Sequence, residues 1–439
     1  METYEVIPSA KRLINSLRDM GYDFSTAVAD VVDNSIEAGA SNVDIAVGFY
    51  GNDSYVRISD NGKGMTEEEL KEAMRYGSER EYSTEDLGKF GLGMKTASMS
   101  QCQRFSVASR TNSDYNKKMP VFCWDLSHIE KTNKWEILPL NEGETLELVS
   151  TLLSEHSGTV ILWERLDRVM GFKYPYGEAA RNKLISMCRE LEIYLGMVFH
   201  KFLSKEVPEK HLDIYLNGNK INPWDPFGRN EPKTKVLSPV KIKFIHNGST
   251  EKIFLQPCIL PSKDEFSSQE AFKKLSGPSN WNQQQGFYIY RSNRMIQSGG
   301  WCGLRTSDEH TKLVRIELNF SPFLDDFFKI NVAKMRVQLP IQIREKIEEA
   351  IKPIILLARE RYDHERKKLS KSTIPKINTT QQSSSDNKNI SIKQNIKSNL
   401  FTLDEIEHKA KELATKYESK IISNIFSRLR KKLFGGKNE

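Results

Sequence analysis

TAVADVVDNSIEAGA (Thr26 to Ala40), RISDNGKGM (Arg57 to Met65) and LGKFGLGMKTAS (Leu87 to Ser98) decide the reading of this chain. The first string reads as a helix on which Asp30 and Asn34 lie one turn apart, so their side chains share a face. The second reads as a strand running into a tight turn. Asp60 ends the strand, and Gly62 and Gly64, just ahead of Met65, let the backbone pass close beneath a flat ring. The third places Gly88, Gly91 and Gly93 ahead of a helical segment that carries Lys95, and free N–H groups at a helix start suit phosphate. A GxG turn alone is ordinary, and so is an Asp with an Asn on one helix. In this order and at this spacing, the three pieces imply a metal-facing helix, a ring-facing turn and a phosphate loop on one sheet, which together describe an ATP site.

VADVVDNSIEAGA, SDNGKGM and GKFGLGMKTAS resemble the three nucleotide motifs of the GHKL ATPases, the superfamily of gyrase B, the large heat-shock chaperone, histidine kinases and MutL. Within it the likeness is to MutL and the MORC proteins. GMTEEELKEAMRYGSERE, leading through a lid to GKFGLGMKTASMS, is similar to the MORC pattern of a helix, a short YGS break and a lid ending in a Gly-Lys segment. The resemblance covers residues 8–165 and, more loosely, 205–350. It implies that Asn34 coordinates magnesium and that Asp60 accepts a hydrogen bond from the adenine amino group. Gly62 and Gly64, with Met65, would line the adenine floor, while Gly88, Gly91, Gly93 and Lys95 would hold the phosphates. Thr159, in SGTVILWERL, would close the adenine side, although a β-branched residue in a strand is unremarkable by itself.

One position departs from the pattern. Hydrolysing members of the gyrase, chaperone and MutL branches carry Glu four residues before the metal Asn, and this chain has Asp30. Aspartate keeps the carboxylate but is shorter by about one C–C bond, so slow hydrolysis is expected. Glu37, close to one turn beyond Asn34, is the alternative base.

Composition narrows the field. The 439 residues suffice for two domains and an appendage. No run of eighteen apolar residues occurs and the amino terminus has no signal-peptide pattern, so a soluble, cytoplasmic protein with no membrane partner is expected. Five cysteines without CxxC spacing suit reduced thiols, and eight dispersed histidines give no zinc pattern. The net charge of +7 is uneven: residues 364–439 hold 17 Lys and Arg against 8 Asp and Glu, leaving 48 basic and 50 acidic residues elsewhere. Any nonspecific attraction to DNA or RNA is therefore expected in the tail.

The expected fold is α+β. A Bergerat-type sandwich over 1–203 comprises a helix at 9–20 capped by Ser9, the Asn34 helix, two strands around Gly51 and Asn52, a helix over Glu67 to Tyr76, a lid from Gly77 to Leu87, and three more strands. One mixed sheet is expected, covered on one side by helices. A second unit over 204–363 opens with the hairpin LDIYLNGNKI, continues through VKIKFI, KIFLQPCIL, QGFYIYRSNRMI and LVRIELNFS, and closes on a helix near Ile341 to Tyr362. Residues 261–285 read as an insertion loop. The resemblance makes this unit a transducer domain, shaped like ribosomal protein S-five, that sends one lysine to the terminal phosphate. NVAKMRVQLP is similar to the MutL segment carrying it and assigns Lys334; strand alternation puts Lys334 on the face of Ile330 and Val332, with Lys329 as the rival. A flexible linker over 364–400 and a basic amphipathic helix over 401–439 follow, the helix ending in Arg428, Arg430, Lys431 and Lys432.

The functional expectation is a slow Mg-ATP hydrolase forming an ATP-dependent homodimeric clamp, in DNA processing or antiviral defence as the resemblance suggests. The alternative is a non-hydrolysing nucleotide sensor or a protein-interaction module, with the terminal helix docking on a partner protein. A histidine kinase is disfavoured because no phosphoacceptor helix pair precedes the site, and a topoisomerase or nuclease because the acidic metal domain and endonuclease motif are missing.

Overall fold

The computed structural model describes residues 3–4, 6–19, 21–77, 93–113, 118–150, 153, 156–208, 210–330 and 337–372. Two helices open it. Ser9 caps α1 (Ala10–Arg18) by accepting from the Arg12 N–H, and Asp23 caps α2 (Phe24–Glu37) through the Thr26 N–H. β1 (Asn42–Gly48) and β2 (Tyr55–Asp60) then pair antiparallel around a single helical turn at Gly51–Asp53. α3 (Glu67–Met74) starts on a reciprocal box in which Thr66 and Glu69 bond each other's N–H groups.

α4 (Gly93–Gln101), β3 (Arg104–Arg110), β4 (Val121–Asp125), α5 (Leu126–Thr132), β5 (Leu138–Pro139), α6 (Glu144–Ser150) and β6 (Gly158–Glu164) follow. α7 (Glu178–Val198) and α8 (His200–Leu203) lead to a hairpin of β7 (Asp213–Leu216) and β8 (Asn219–Lys220). The first sheet runs β5-β4-β3-β6-β2-β1-β7-β8 and is antiparallel except where β7 lies parallel to β1. Val107 and Ile161 join the helical core under α2 and α7, whereas Ala108, Val160 and Leu162 form a second cluster with Val149 of α6. Both faces of the central strands are thus covered, and the expectation of helices on one side is corrected. Successive apolar residues in SVA and VILW serve both faces at once.

The hairpin expected to open the second unit instead extends the first sheet: Val43 and Ile45 face Ile214 and Leu216 across the parallel pair, and all four side chains are buried. The second sheet begins at β9 (Lys235–Val236) and continues with β10 (Val240–His246), β11 (Ser249–Ile259), β12 (Gly286–Arg291), β13 (Arg294–Ser298) and β14 (Val314–Phe320), in the order β10-β11-β14-β12-β13 with β9 on β11. The expected insertion loop contains α9 (Gln269–Leu275), capped by Ser268, with Phe266, Phe272 and Trp281 packed ring to ring. QGFYIYRSNRMI is a hairpin, because Ser292 and Asn293 take φ of 46° and 70° and turn the chain.

α10 (Ile341–Ser372) closes the second core through Ile343, Ile347, Ile351 and Ile354. It runs nine residues beyond the expected start of the linker, since ERKKLSKS holds good helix formers and no breaker precedes Pro375. The expected linker beyond 372 and the terminal helix lie outside the described residues. Tyr288, Tyr290 and Met295 of β12 and β13 pack into the first core, and Phe287, Ile289 and Ile296 into the second, so this hairpin belongs to both. All five cysteines are unpaired thiols, and no helix among the described residues is long and apolar enough to cross a membrane.

Candidate functional site

α2 delivers the first motif to the end of β2. Asp30 is 3% exposed, and its Oδ2 accepts a hydrogen bond from the Tyr22 hydroxyl at 2.7 Å. Burial, and then the Asp30 carboxylate, push the Tyr22 phenol far above its ordinary value, which keeps it a donor at any working pH. Gly93, the first residue of α4, lies beside the same oxygen: a Cβ there would stand 3.2 Å from Asp30 Oδ2. The carboxylate therefore faces the amino end of a helix, where the dipole favours negative charge. One turn on, the Asn34 Nδ2 donates to the Asp30 carbonyl at 3.1 Å, leaving Oδ1 as the remaining acceptor of the amide. Glu37, the alternative base, is the last residue of α2 and half-buried.

The next residue ties this helix to the second motif. Ser35 Oγ donates to Asp60 Oδ2 at 2.9 Å, and the Gly62 N–H donates to Asp60 Oδ1 at 2.9 Å. Burial pushes the Asp60 carboxyl up, opposed by the bonds from Gly62, Ser35 and the Thr159 backbone. Each carboxyl oxygen has a second lone pair, so Asp60 retains capacity to accept from a further donor. Thr159 faces Asp60 across the β2–β6 pair, and its Oγ1 lies 2.9 Å from Ser109 Oγ. Ser109 also accepts from the Met65 N–H at 2.9 Å and donates to the Gly158 carbonyl at 3.0 Å. Gly64 has φ of +68°, and a Cβ there would stand 1.9 Å from the Arg110 carbonyl oxygen, so this crossing of two backbones requires glycine. At Gly62 a Cβ would meet that of Ala38 at 2.8 Å.

Lys95 points elsewhere. It is 3% exposed, with Nζ donating to the Ala73 carbonyl at 2.8 Å and lying 5.9 Å from the centre of the Tyr76 ring. Burial lowers its pKa to about 8. Together with Trp124, whose Nε1 donates to Met74 O at 3.0 Å, it satisfies the carboxyl end of α3. Gly88, Gly91 and the lid beyond Gly77 lie outside the described residues, as does Lys334; Lys329 is exposed, with φ of +48°.

Among the described residues no three His, Cys, Asp or Glu side chains cluster to hold a metal. A magnesium ion carried by nucleotide phosphates needs only one or two protein oxygens, and Asn34 Oδ1 fits that requirement. Tyr22, Ser35 and Ser109 are site residues that the motifs did not single out. Ser35 was within reach, next to Asn34 in DNS, whereas Ser109 sits in an apolar strand 44 residues from its Met65 partner. Asp33, also unassigned, is 1% exposed and pairs at 2.9 Å with Arg294 of β13.

With this geometry in view, residues 22–159 match the family described as histidine kinase-, DNA gyrase B-, and HSP90-like ATPase. Over 92 residues the chain is 37% identical to the DNA mismatch repair protein MutL of Shewanella oneidensis, covering 20% of this chain and 14% of that protein. It is 37% identical over 93 residues to MutL of Azorhizobium caulinodans, covering 20% and 15%, and 36% identical over 92 residues to MutL of Shewanella loihica, covering 20% and 14%.

Proposed function

We propose, from a segment at residues 22–159 that carries the histidine kinase-, DNA gyrase B- and HSP90-like ATPase family, that this chain binds Mg-ATP, hydrolyses it slowly and closes as a homodimer in the ATP state. The observation that carries the reading is the meeting of the three motifs: Ser35 on Asp60 joins the first to the second, and Gly93 against Asp30 joins the first to the third. Asp60, steadied by Ser35 and Gly62, would accept from the adenine amino group, with Gly62, Gly64, Met65 and Thr159 around the ring. Asn34 would supply its oxygen to the magnesium, and Gly88, Gly91, Gly93 and Lys95 would hold the phosphates. For that role Lys95 has to leave the Ala73 carbonyl. Magnesium, when bound, would neutralise phosphate charge.

Asp30 is the base in this reading. Its short side chain and the Tyr22 hydroxyl on Oδ2 limit its reach toward a water, which accords with slow turnover. The same observation favours a second reading, a sensor in which bound ATP sets conformation without useful hydrolysis. The division into an ATPase domain, a transducer from about residue 204 to 363 bearing Lys334, a linker and a basic helix is part of the proposal, with the hairpin at 213–220 going with the first sheet. Clamping on DNA or RNA, a role in DNA processing or defence, a protein partner for the terminal helix and a cytoplasmic location complete it.

Calorimetric titration with Mg-ATP tests the site. Asn34→Ala is expected to lose binding; undiminished affinity in that variant rejects the motif assignment. Mass measurement by light scattering tests the closure. Dimer with a nonhydrolysable ATP analogue, monomer with ADP, and monomer throughout for Lys334→Ala are expected, and a wild type that stays monomeric in every state removes the clamp.

A further inference from the structure

We propose that the tip of the β12–β13 hairpin couples α2 to the second sheet, with Arg294 as a positioning residue for the helix that carries Asp30 and Asn34. The inference rests on the ATP reading above. Arg294 opens β13, and its Nε lies 2.9 Å from the Asp33 carboxylate; both side chains are 1% exposed. Asp33 is the neighbour of Asn34 and nearly one turn from Asp30. The Asp30 carboxylate also acts on Arg294 through its charge, and the guanidinium lies 5.9 Å from the centre of the Phe199 ring. One cation from the second sheet thus sits within the electrostatic field of the expected base.

The opposite side of the same tip is also anchored. Arg291 holds Asp325 through two bonds of 2.7 and 2.8 Å, with both residues buried. Asn319 Nδ2 donates to Asn293 Oδ1 at 2.8 Å. Ser292 and Asn293 between the two arginines are both left-handed, which fixes the twist of a two-residue turn. A displacement of α2 at Asp33 therefore has little slack to be absorbed before it reaches Arg291 and Asp325, nine residues ahead of Lys334 in the chain.

A buried ion pair is a weak stabiliser, because desolvating two charges offsets most of their attraction, while removing one partner leaves an uncompensated charge. What such a pair does well is favour one relative placement of two elements over neighbouring ones. Here it ties the helix that would meet the nucleotide to the sheet that would report it, and the coupling runs both ways.

Hydrogen exchange of the peptide 286–298, with and without a nonhydrolysable ATP analogue, tests this in wild type and in the double variant Asp33→Asn/Arg294→Gln, which leaves neither charge buried. Wild type is expected to gain about tenfold protection there on binding, and the double variant less than about twofold, with its melting point kept and its affinity within about threefold. Both proteins are compared at saturating analogue, so that a change of affinity alone does not alter the readout. Equal nucleotide-dependent protection in the two proteins, or none in a wild type that binds, overturns the inference and leaves the ATP site standing; a wild type that binds no analogue overturns both. Should the double variant not fold, Arg294→Lys decides, since it keeps the charge but loses the rigid guanidinium. Full protection in that variant overturns the proposal, and reduced protection at unchanged affinity supports it.

Discussion

In the proposed reading, Asp30 is where the identity of one side chain decides whether the site turns over or only binds. Asp30→Ala is expected to retain ATP affinity and to lower hydrolysis by about 10² to 10⁴. A steady-state phosphate-release assay checks it, and normal turnover would move the role to Glu37 or to no residue. Lys95 provides a pH signature. The native amine, lowered by burial, gives up its proton at about 8, whereas the unfolded one keeps it to the usual 10.5. Between those values the unfolded chain holds this proton and the native one does not, so the contribution of Lys95 to stability rises with pH across that window. Denaturant titrations should show wild type gaining stability relative to Lys95→Met from about pH 8 to 10.5; parallel pH profiles for the two proteins would mean that the amine is not buried in solution. The meeting of Asp30, Ser35, Asp60 and Gly93 was foreshadowed in sequence because the motifs that carry Asp30, Asp60 and Gly93 follow one another in a fixed order. Tyr22 and Arg294 were not legible, since a hydroxyl 8 residues upstream and a guanidinium 261 residues downstream follow no local period.

At the scale of elements, periodicity and turn residues fixed most of the strands and helices, and what escaped was set by contacts distant in sequence. β7 and β8 were visible as a hairpin, but only the pairing of Ile214 and Leu216 with β1 assigns them to the first sheet. α9 hid in a polar stretch because its apolar partners, Phe266 and Trp281, flank it outside any helical repeat. The turn after β2 shows the converse, a feature read as ligand-facing that the fold itself demands. Gly64 passes against the Arg110 carbonyl with left-handed φ, so Gly64→Ala is expected to cost about 2–4 kcal/mol of stability with or without nucleotide. Thermal melts of the two proteins measure it. An alanine variant that melts like wild type but binds ATP poorly would assign the glycine to the ligand alone.

For the whole molecule, charge is the property that the fold does not equalise. Residues 375–439 carry 13 Lys and Arg against 7 Asp and Glu, so six of the seven net positive charges lie beyond α10. Every proposed nucleotide contact lies before Met335. Removing 375–439, which leaves α10 whole, should therefore leave ATP binding intact while reducing the net charge to about +1. If the tail holds nucleic acid by its charge, affinity of the full-length chain for labelled duplex should fall steeply with salt, log K dropping with log salt by roughly 0.9 for each phosphate neutralised. Truncation should weaken binding at every salt concentration and flatten that slope, because fewer counterions are released. Sequence should matter little, since backbone contacts position a protein without reading bases. Fluorescence anisotropy at two salt concentrations separates the outcomes: equal affinity and slope for both forms would show that duplex does not engage the tail, and would return the terminal helix to docking on a protein partner.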